Sequence, residues 1–526
     1  MKNLVLSLIF FSCVTYSQDI FYVANGGNNA NDGSLSFPWR NIQFGIDQLN
    51  AGDKLIITTG SYSETVIFQG ANDSGVLNNP VTLQAENGVI IDGTGITPVG
   101  RQGLITIRDA SHIIVDGFEL AHFKTANGLE INDSPVGILI EGSSTHITIK
   151  NNVIHDIQNR SSCGQSTGCG TGANGIGVYG DKVVGISDLE FNNNEIHHCV
   201  LAASEAFTIN GNVDRFKVIN NYIHDNNNIG LVIIGYENDV CAVCTEENNR
   251  ARNGYVKGNR AINNSIKLSV GGFVTNPWYE NDDGNAGGFY VDGGRNIIFD
   301  GNFSSQNDIG FEFASEHAGK SSADILMINN FIYNNREVGI SLGGYAQSTA
   351  GEGGGNATRI NIFNNSFYHN QGWGTEISFA FRVIDFIAAN NIFFGTGDVN
   401  DNFSDEVNGQ HQNTNWLNNI WWALDNTDTS LLPETSPMVT NPQFISPATG
   451  DLRVASGSQA IDNGLVQNDI STWSSPLWPQ IFATNNIPAH GSTDINGELR
   501  IENNVIDIGA DEFGTFVDII YQNGFE

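Results

Sequence analysis

The chain has 526 residues, with 57 acidic against 23 basic side chains and a formal net charge of −34. That balance disfavours nucleic acid and anionic membrane surfaces as partners. It fits a protein kept soluble in salt water, and it argues against an anionic substrate unless a cation or a local Lys/Arg cluster assists.

Residues 1–17 read as a secretory signal: Lys2, an apolar run from Leu4 to Phe11, then Thr15-Tyr16-Ser17 before Gln18. The run is too short to span a membrane as a helix, and no later stretch approaches the ~20 apolar residues required. The expectation is a secreted, extracellular or periplasmic, protein without a membrane span. "FFSC" offers an alternative in which Cys13 becomes a lipid-anchored N-terminus. Beyond the signal lie Cys163, Cys169, Cys199, Cys241 and Cys244. "CGQSTGC" could close a small loop. "CAVC" is read as a loop staple or inert thiols rather than a metal site, because one CxxC without a second pair is a weak zinc signal.

Asn-rich turns followed by apolar letters recur along the middle of the chain: "KNNVIH", "NNNEIH", "INNYIH", "KGNRAI", "DGNFSS", "INNFIY", "FNNSFY" and "ANNIFF". Their last asparagines (Gly-Asn in two cases) fall at 152, 194, 221, 259, 302, 330, 365 and 391, so the shortest spacings are 26–28 residues and the longer ones carry insertions. Between the turns lie short runs of Ile, Val and Phe, which is strand punctuation rather than helix. A short period of this kind predicts a solenoid of stacked coils, since one coil alone cannot bury its apolar face. Asparagine suits the turns because it tolerates left-handed backbone and its amide can ladder from coil to coil.

Residues 25–64, "NGGNNANDGSLSFPWRNIQFGIDQLNAGDKLIITTGSYSE", with "NPQFISPATGDLRV" and "DINGELRIENNVIDIGADEF", carry a family resemblance. The chain resembles the right-handed parallel β-helix proteins of the pectin-lyase-like superfamily over roughly residues 20–513. The resemblance implies an all-β fold, with a capping helix containing Ile42, Ile46 and Leu49 and a C-terminal covering segment. The expected organisation is a signal at 1–17, a β-helix at 18–395, an irregular Trp-rich crossing segment at 396–440, a β-rich cap at 441–513 and a tail at 514–526. The superfamily holds lyases, hydrolases, epimerases and binding proteins, so fold does not fix function.

Six frames align as Gly-apolar-X-apolar-X: "GIGVY", "AFTIN" (with Ala for Gly), "GLVII", "GFYVD", "GFEFA" and "GISLG". Alternate residues of a strand face opposite sides. The X letters therefore point outward, in one column of Gly177, Thr208, Val232, Tyr290, Glu312 and Ser341 and a second containing Asp292. On adjacent coils Asp292 and Glu312 are separated by a diagonal of roughly 8 Å, within the range of a glycosidase carboxyl pair. Asp292, Glu312, Glu316 and His317 are thus the candidate catalytic residues. Trp278, Tyr279, Tyr290, Lys320 and Tyr345 are the candidate sugar contacts. Asp282 and Asp283 in "NDDG" could hold a cation. His155, His197 and His224 share a column that continues as Ile, Ser, Tyr, Tyr and Phe, so ring stacking explains it better than metal.

The reading that follows is a secreted polysaccharide-degrading glycoside hydrolase, monomeric, with no cofactor required. A calcium-dependent lyase is the alternative, with Asp282, Asp283, Asp292 and Glu312 on Ca²⁺ and Lys320 or His317 as base. "GFEFASEHAGK" loosely resembles the Glu-X-Glu and downstream Lys of alginate- and chondroitin-type lyases, but "GISLGGY" lacks the Arg expected on the next coil. A non-catalytic glycan-binding surface protein is the third reading; acidic groove letters scattered over many coils would mark it, and here they concentrate on two. Marine and plant cell-wall glycans are the substrates to screen.

Overall fold

The computed structural model describes residues 18–126, 128, 132–161, 172–279, 284–347, 353–370, 372, 374–407, 410–466, 492–501 and 505–514. The expected signal, Cys163, Cys169, Asp282, Asp283 and the tail beyond 514 lie outside them.

Short strands wind into stacked coils that build three parallel sheets of 13, 11 and 13 strands among the described residues. One coil runs Gly287–Asp292, Arg295–Asp300 and Phe303–Ser305, and the next opens with Ile309–Ala314 beside the first strand. This is the expected parallel β-helix, right-handed as parallel crossovers are. The inward letters pack ring on ring: Phe289 stacks on Phe311 at 4.7 Å and Phe299 on Phe313 at 5.4 Å, all four fully buried. Each such burial contributes about 1.5–3 kcal/mol.

The Asn-Asn turns divide two tasks between neighbouring residues. The first residue adopts left-handed backbone, as at Asn193 (φ 57°), Asn220 (φ 55°) and Asn329 (φ 60°), with Gly258 and Gly301 serving where Asn is absent. The second is buried and forms the ladder. Amides link Asn152, Asn194, Asn221, Asn259, Asn302, Asn330, Asn365, Asn391 and Asn419 in order at 2.8–3.0 Å. A second ladder joins Asn226, Asn264, Asn307, Asn335 and Asn370. Each ladder ends on a carboxylate that accepts the last amide: Glu434 from Asn419 at 3.1 Å, and buried Glu376 from Asn370.

The histidine column stacks as expected, His155 on His197 and His197 on His224, each at 5.0 Å. Asp156 and Glu119 hold His155 above the usual imidazole range, and Asp225 and Glu195 raise His224 despite its burial. His197, half-buried between them, is pushed down to about 4 by desolvation and by its two neighbours.

One boundary differs from the sequence expectation. Residues 396–440 are not a covering strap throughout. Phe403–Asp405, Gln412–Leu417 and Ile420–Trp422 add a further coil, one strand to each sheet. Trp421 stacks inside on Phe393 at 4.6 Å, and Trp416 is buried beside it. Bulky rings replace the usual Ile/Val/Phe there, which hid the repeat. The C-terminal segment holds one antiparallel pair, Phe444–Ser446 with Asp451–Val454, and covers the outward aromatics of the third sheet, including Phe303 and Phe331. Near the N-terminus, the helix Ile42–Ile46 buries both isoleucines; Leu49 lies just beyond it.

Candidate active site

The outward column follows the register read from the sequence. Gly177, Thr208, Val232, Tyr290, Glu312 and Ser341 are successive partners, and the column continues through Ser378 and Ser404. Above Tyr290 and Glu312 opens a cleft of about 690 Å³. Glu312, Glu316 and Glu406 line it, with Tyr279, Tyr290 and Tyr345. Asn228, Asn285 and Ser341 add neutral polar groups to its wall.

Glu312 sits on the strand floor between Phe311 and Phe313, which anchor the backbone in the core. Burial first, and repulsion from Glu316 second, push its carboxyl up to about 8. Glu312 is therefore largely protonated at neutral pH. Glu316 stands on the exposed loop that follows the strand. The Tyr290 hydroxyl donates to Glu316 Oε1 at 3.2 Å. Tyr290 is 6% exposed, packed with Val232, Ile234 and Ala314, so its ring is held and its hydroxyl aimed. Burial and the three surrounding carboxyl groups Asp292, Glu316 and Glu312 raise its own pKa well above the usual phenol value.

Asp292 is placed differently from the expectation that it faces the groove. It lies on the outward side, opposite Ala314, but it is 5% exposed and is not among the cleft-lining residues. Its Oδ1 accepts the Glu316 backbone N–H at 2.9 Å. Burial, then Glu316, raises its carboxyl well above the usual range. The loop from Ser315 folds over this residue, which strand alternation alone does not reveal. Asp292 positions the Glu316 loop.

His317 and Lys320 are engaged beside the cleft rather than within its lining. His317 Nε2 pairs with Glu237 Oε1 at 3.3 Å. Lys320 Nζ pairs with Glu246 at 2.7 Å and lies over the Tyr236 ring at 5.6 Å. Ligand-type atoms of Glu237, Asp292 and His317 all fall within 4.8 Å of one another, so these three could hold a metal ion. Trp278 is half-buried at the loop turn made by Asn276 and does not line the cleft. Glu406, on the coil that the repeat count missed, accepts from Ser378 Oγ at 3.2 Å and closes the far side. Glu205, pushed up to about 7 by burial and the nearby Glu237 and Glu316, was also not singled out from the sequence. Both lie outside the Gly-apolar-X-apolar-X frames, Glu205 immediately before one and Glu406 just after the strand Phe403–Asp405. "CAVC" forms a Cys241–Cys244 disulfide, and Cys199 is a buried thiol.

No family model matches the chain. It is 33% identical over 338 residues to the uncharacterised protein YwoF of Bacillus subtilis (strain 168), covering 64% of this chain and 66% of that one. It is 29% identical over 139 residues to the pectate lyase PEL9 of Emericella nidulans, covering 25% of this chain and 33% of that one. The chain thus spans about two thirds and one third of the lengths of these relatives. Among solved structures, pectate lyase Pel9A superposes with a TM-score of 0.45 at 14% identity, covering 95% of this chain and 97% of that chain.

Proposed function

We propose that the protein is a polysaccharide-degrading enzyme, a glycoside hydrolase acting in the cleft above Tyr290 and Glu312, and that it works outside the cytoplasm. The observation that carries this reading is that Glu312 and Glu316 line one cleft, with burial pushing the Glu312 carboxyl up to about 8. Glycoside hydrolysis needs such a division: one carboxyl gives a proton to the leaving oxygen, and the other acts as nucleophile or activates water. Glu312 takes the acid role because burial disfavours its charge. Glu316 takes the carboxylate role, held by the Tyr290 hydroxyl and, through its backbone, by Asp292. Tyr279 and Tyr345 line the cleft, and aromatic rings suit the C–H faces of sugars.

The lyase alternative needs a free base beside the sugar, and Lys320 and His317 are committed to Glu246 and Glu237. The hydrolase reading routes no step through a metal, although Glu237, Asp292 and His317 have donor atoms that suit one. The test is a polysaccharide screen reading both new reducing ends and absorbance of unsaturated uronate, with and without EDTA. The expected result is reducing ends that carry no unsaturation and that persist in EDTA. Unsaturated products that vanish in EDTA and return with calcium overturn it.

A further inference from the structure

The charges around the cleft restrict what it can accept. Its lining carries Glu312, Glu316 and Glu406, and no Lys, Arg or His is among the described residues that line it. Asp292, Glu205 and Glu237 stand close behind the same wall, near enough that Glu316 and Glu237 perturb both Asp292 and Glu205. Lys320 is paired with Glu246, and His317 is paired with Glu237 and so offsets that carboxylate rather than those in the lining. The rest of the lining is uncharged: tyrosines, the polar Asn228, Asn285 and Ser341, and apolar residues including Ile229, Ile309 and Val407. A carboxylate or sulfate brought here loses water and meets Glu316 and Glu406 with no base in the lining to offset them.

We propose that the cleft selects glycans free of carboxylate and sulfate groups, an inference that rests on the hydrolase reading of the same site. Neutral sugar rings exchange hydrogen bonds with water for hydrogen bonds with the asparagines, Ser341 and the carboxyl oxygens. Uronic acids and sulfated sugars are turned away by the field before any contact is made, and most strongly at low salt.

The test uses the full protein on two panels. One is neutral: xylan, mannan, mixed-linkage glucan and galactan. The other is acidic: polygalacturonate, alginate and a sulfated galactan. Both are run at low salt with and without calcium, reading reducing ends, unsaturated ends and, with Glu312→Gln, retention on glycan-loaded native gels. Cleavage and retention confined to the neutral panel support the proposal. Hydrolysis of an acidic glycan overturns the proposal and leaves the hydrolase reading standing. Unsaturated products from an acidic glycan overturn both. Retention by neutral glycans with no cleavage overturns the hydrolase reading and keeps the selectivity. Retention by acidic glycans alone, or by neither panel, overturns the selectivity.

A sharper arm compares the cleaved neutral glycan with its uronate counterpart, made by oxidising C6 of a hexose glycan to a carboxylate or, for xylan, by using a glucuronate-substituted xylan. The expected kcat/KM falls roughly tenfold or more at low salt, since like charges at these distances repel strongly in a partly dehydrated site. Glu406→Gln removes one of the repelling charges, so the ratio of neutral to uronate turnover should shrink about threefold or more. Equal turnover of the two glycans at low salt overturns the proposal.

Discussion

Tyr290 and Glu316 are joined by a hydrogen bond of 3.2 Å from the phenol to Oε1, although the strand register sets Tyr290 opposite Glu312. The chain from Glu312 turns back within four residues, so one buried ring lies beside Glu312 on the next strand and bonds Glu316 on the following loop. Tyr290→Phe keeps the ring's packing and removes the bond to the carboxylate. The expected loss is about 10- to 100-fold in kcat, with KM and the unfolding midpoint little changed. Unaltered kcat would remove Tyr290 from the positioning of Glu316.

Glu312→Gln should lower turnover by about 10²–10⁴ while the fold persists, because the side chain lies outward on a strand whose neighbours carry the core. In the parent enzyme activity should decline as pH rises through about 8, where Glu312 gives up its proton. Steady-state rates from pH 5 to 9 check both points. Activity that holds level well above pH 9 would rule out Glu312 as the acid.

Stability should be greatest in mildly acidic solution. Burial raises Glu376, Asp511 and Glu512 to about 8 and Glu205 to about 7. The folded protein therefore holds more protons than the unfolded chain between the ordinary carboxyl range and pH 8, and stability falls as pH rises through that window. Raised His155 and His224 act in the same direction above the usual imidazole value. Depressed His197 acts oppositely, costing stability as pH drops from 6.5 toward 4. Thermal midpoints measured from pH 4 to 9 should peak near pH 5–6. Glu376→Gln should make the decline toward pH 8 shallower, whatever it does to the absolute midpoint. An unchanged slope would show that Glu376 does not titrate in this window.

The two asparagines of one turn should respond differently. Asn194→Ala strips a buried amide that donates to Ile149 O and Asn221 Oδ1 and accepts from Asn152. The expected cost is about 2–4 kcal/mol, since partners on both sides are left unsatisfied. Asn193 is exposed at φ 57°, so Asn193→Gly should be near neutral and Asn193→Val should cost about 1–2 kcal/mol. Denaturant unfolding of the three variants checks this. Equal losses at 193 and 194 would contradict the division of tasks.

The sequence by itself determined the coil. Inward Ile, Val and Phe, left-handed turn residues and ladder asparagines are each required by local physics: burial of an apolar face, backbone sterics, and amide groups that must pair when buried. Those constraints also set the register, which is why Tyr290 and Glu312 were legible as outward neighbours. The last coil was missed because Trp416 and Trp421 fill the core with rings in place of the expected letters. What only the tertiary structure decided is which outward carboxyls reach the cleft. Asp292 and Glu316 are both outside the core, yet the loop from Ser315 buries one and exposes the other. Glu406 arrives from a coil three steps along the column from Glu312. Loop paths depend on contacts between residues distant in the chain, and no local period encodes them. The protonation of Glu312 follows from the same cause, because it is set by the surfaces that fold against it.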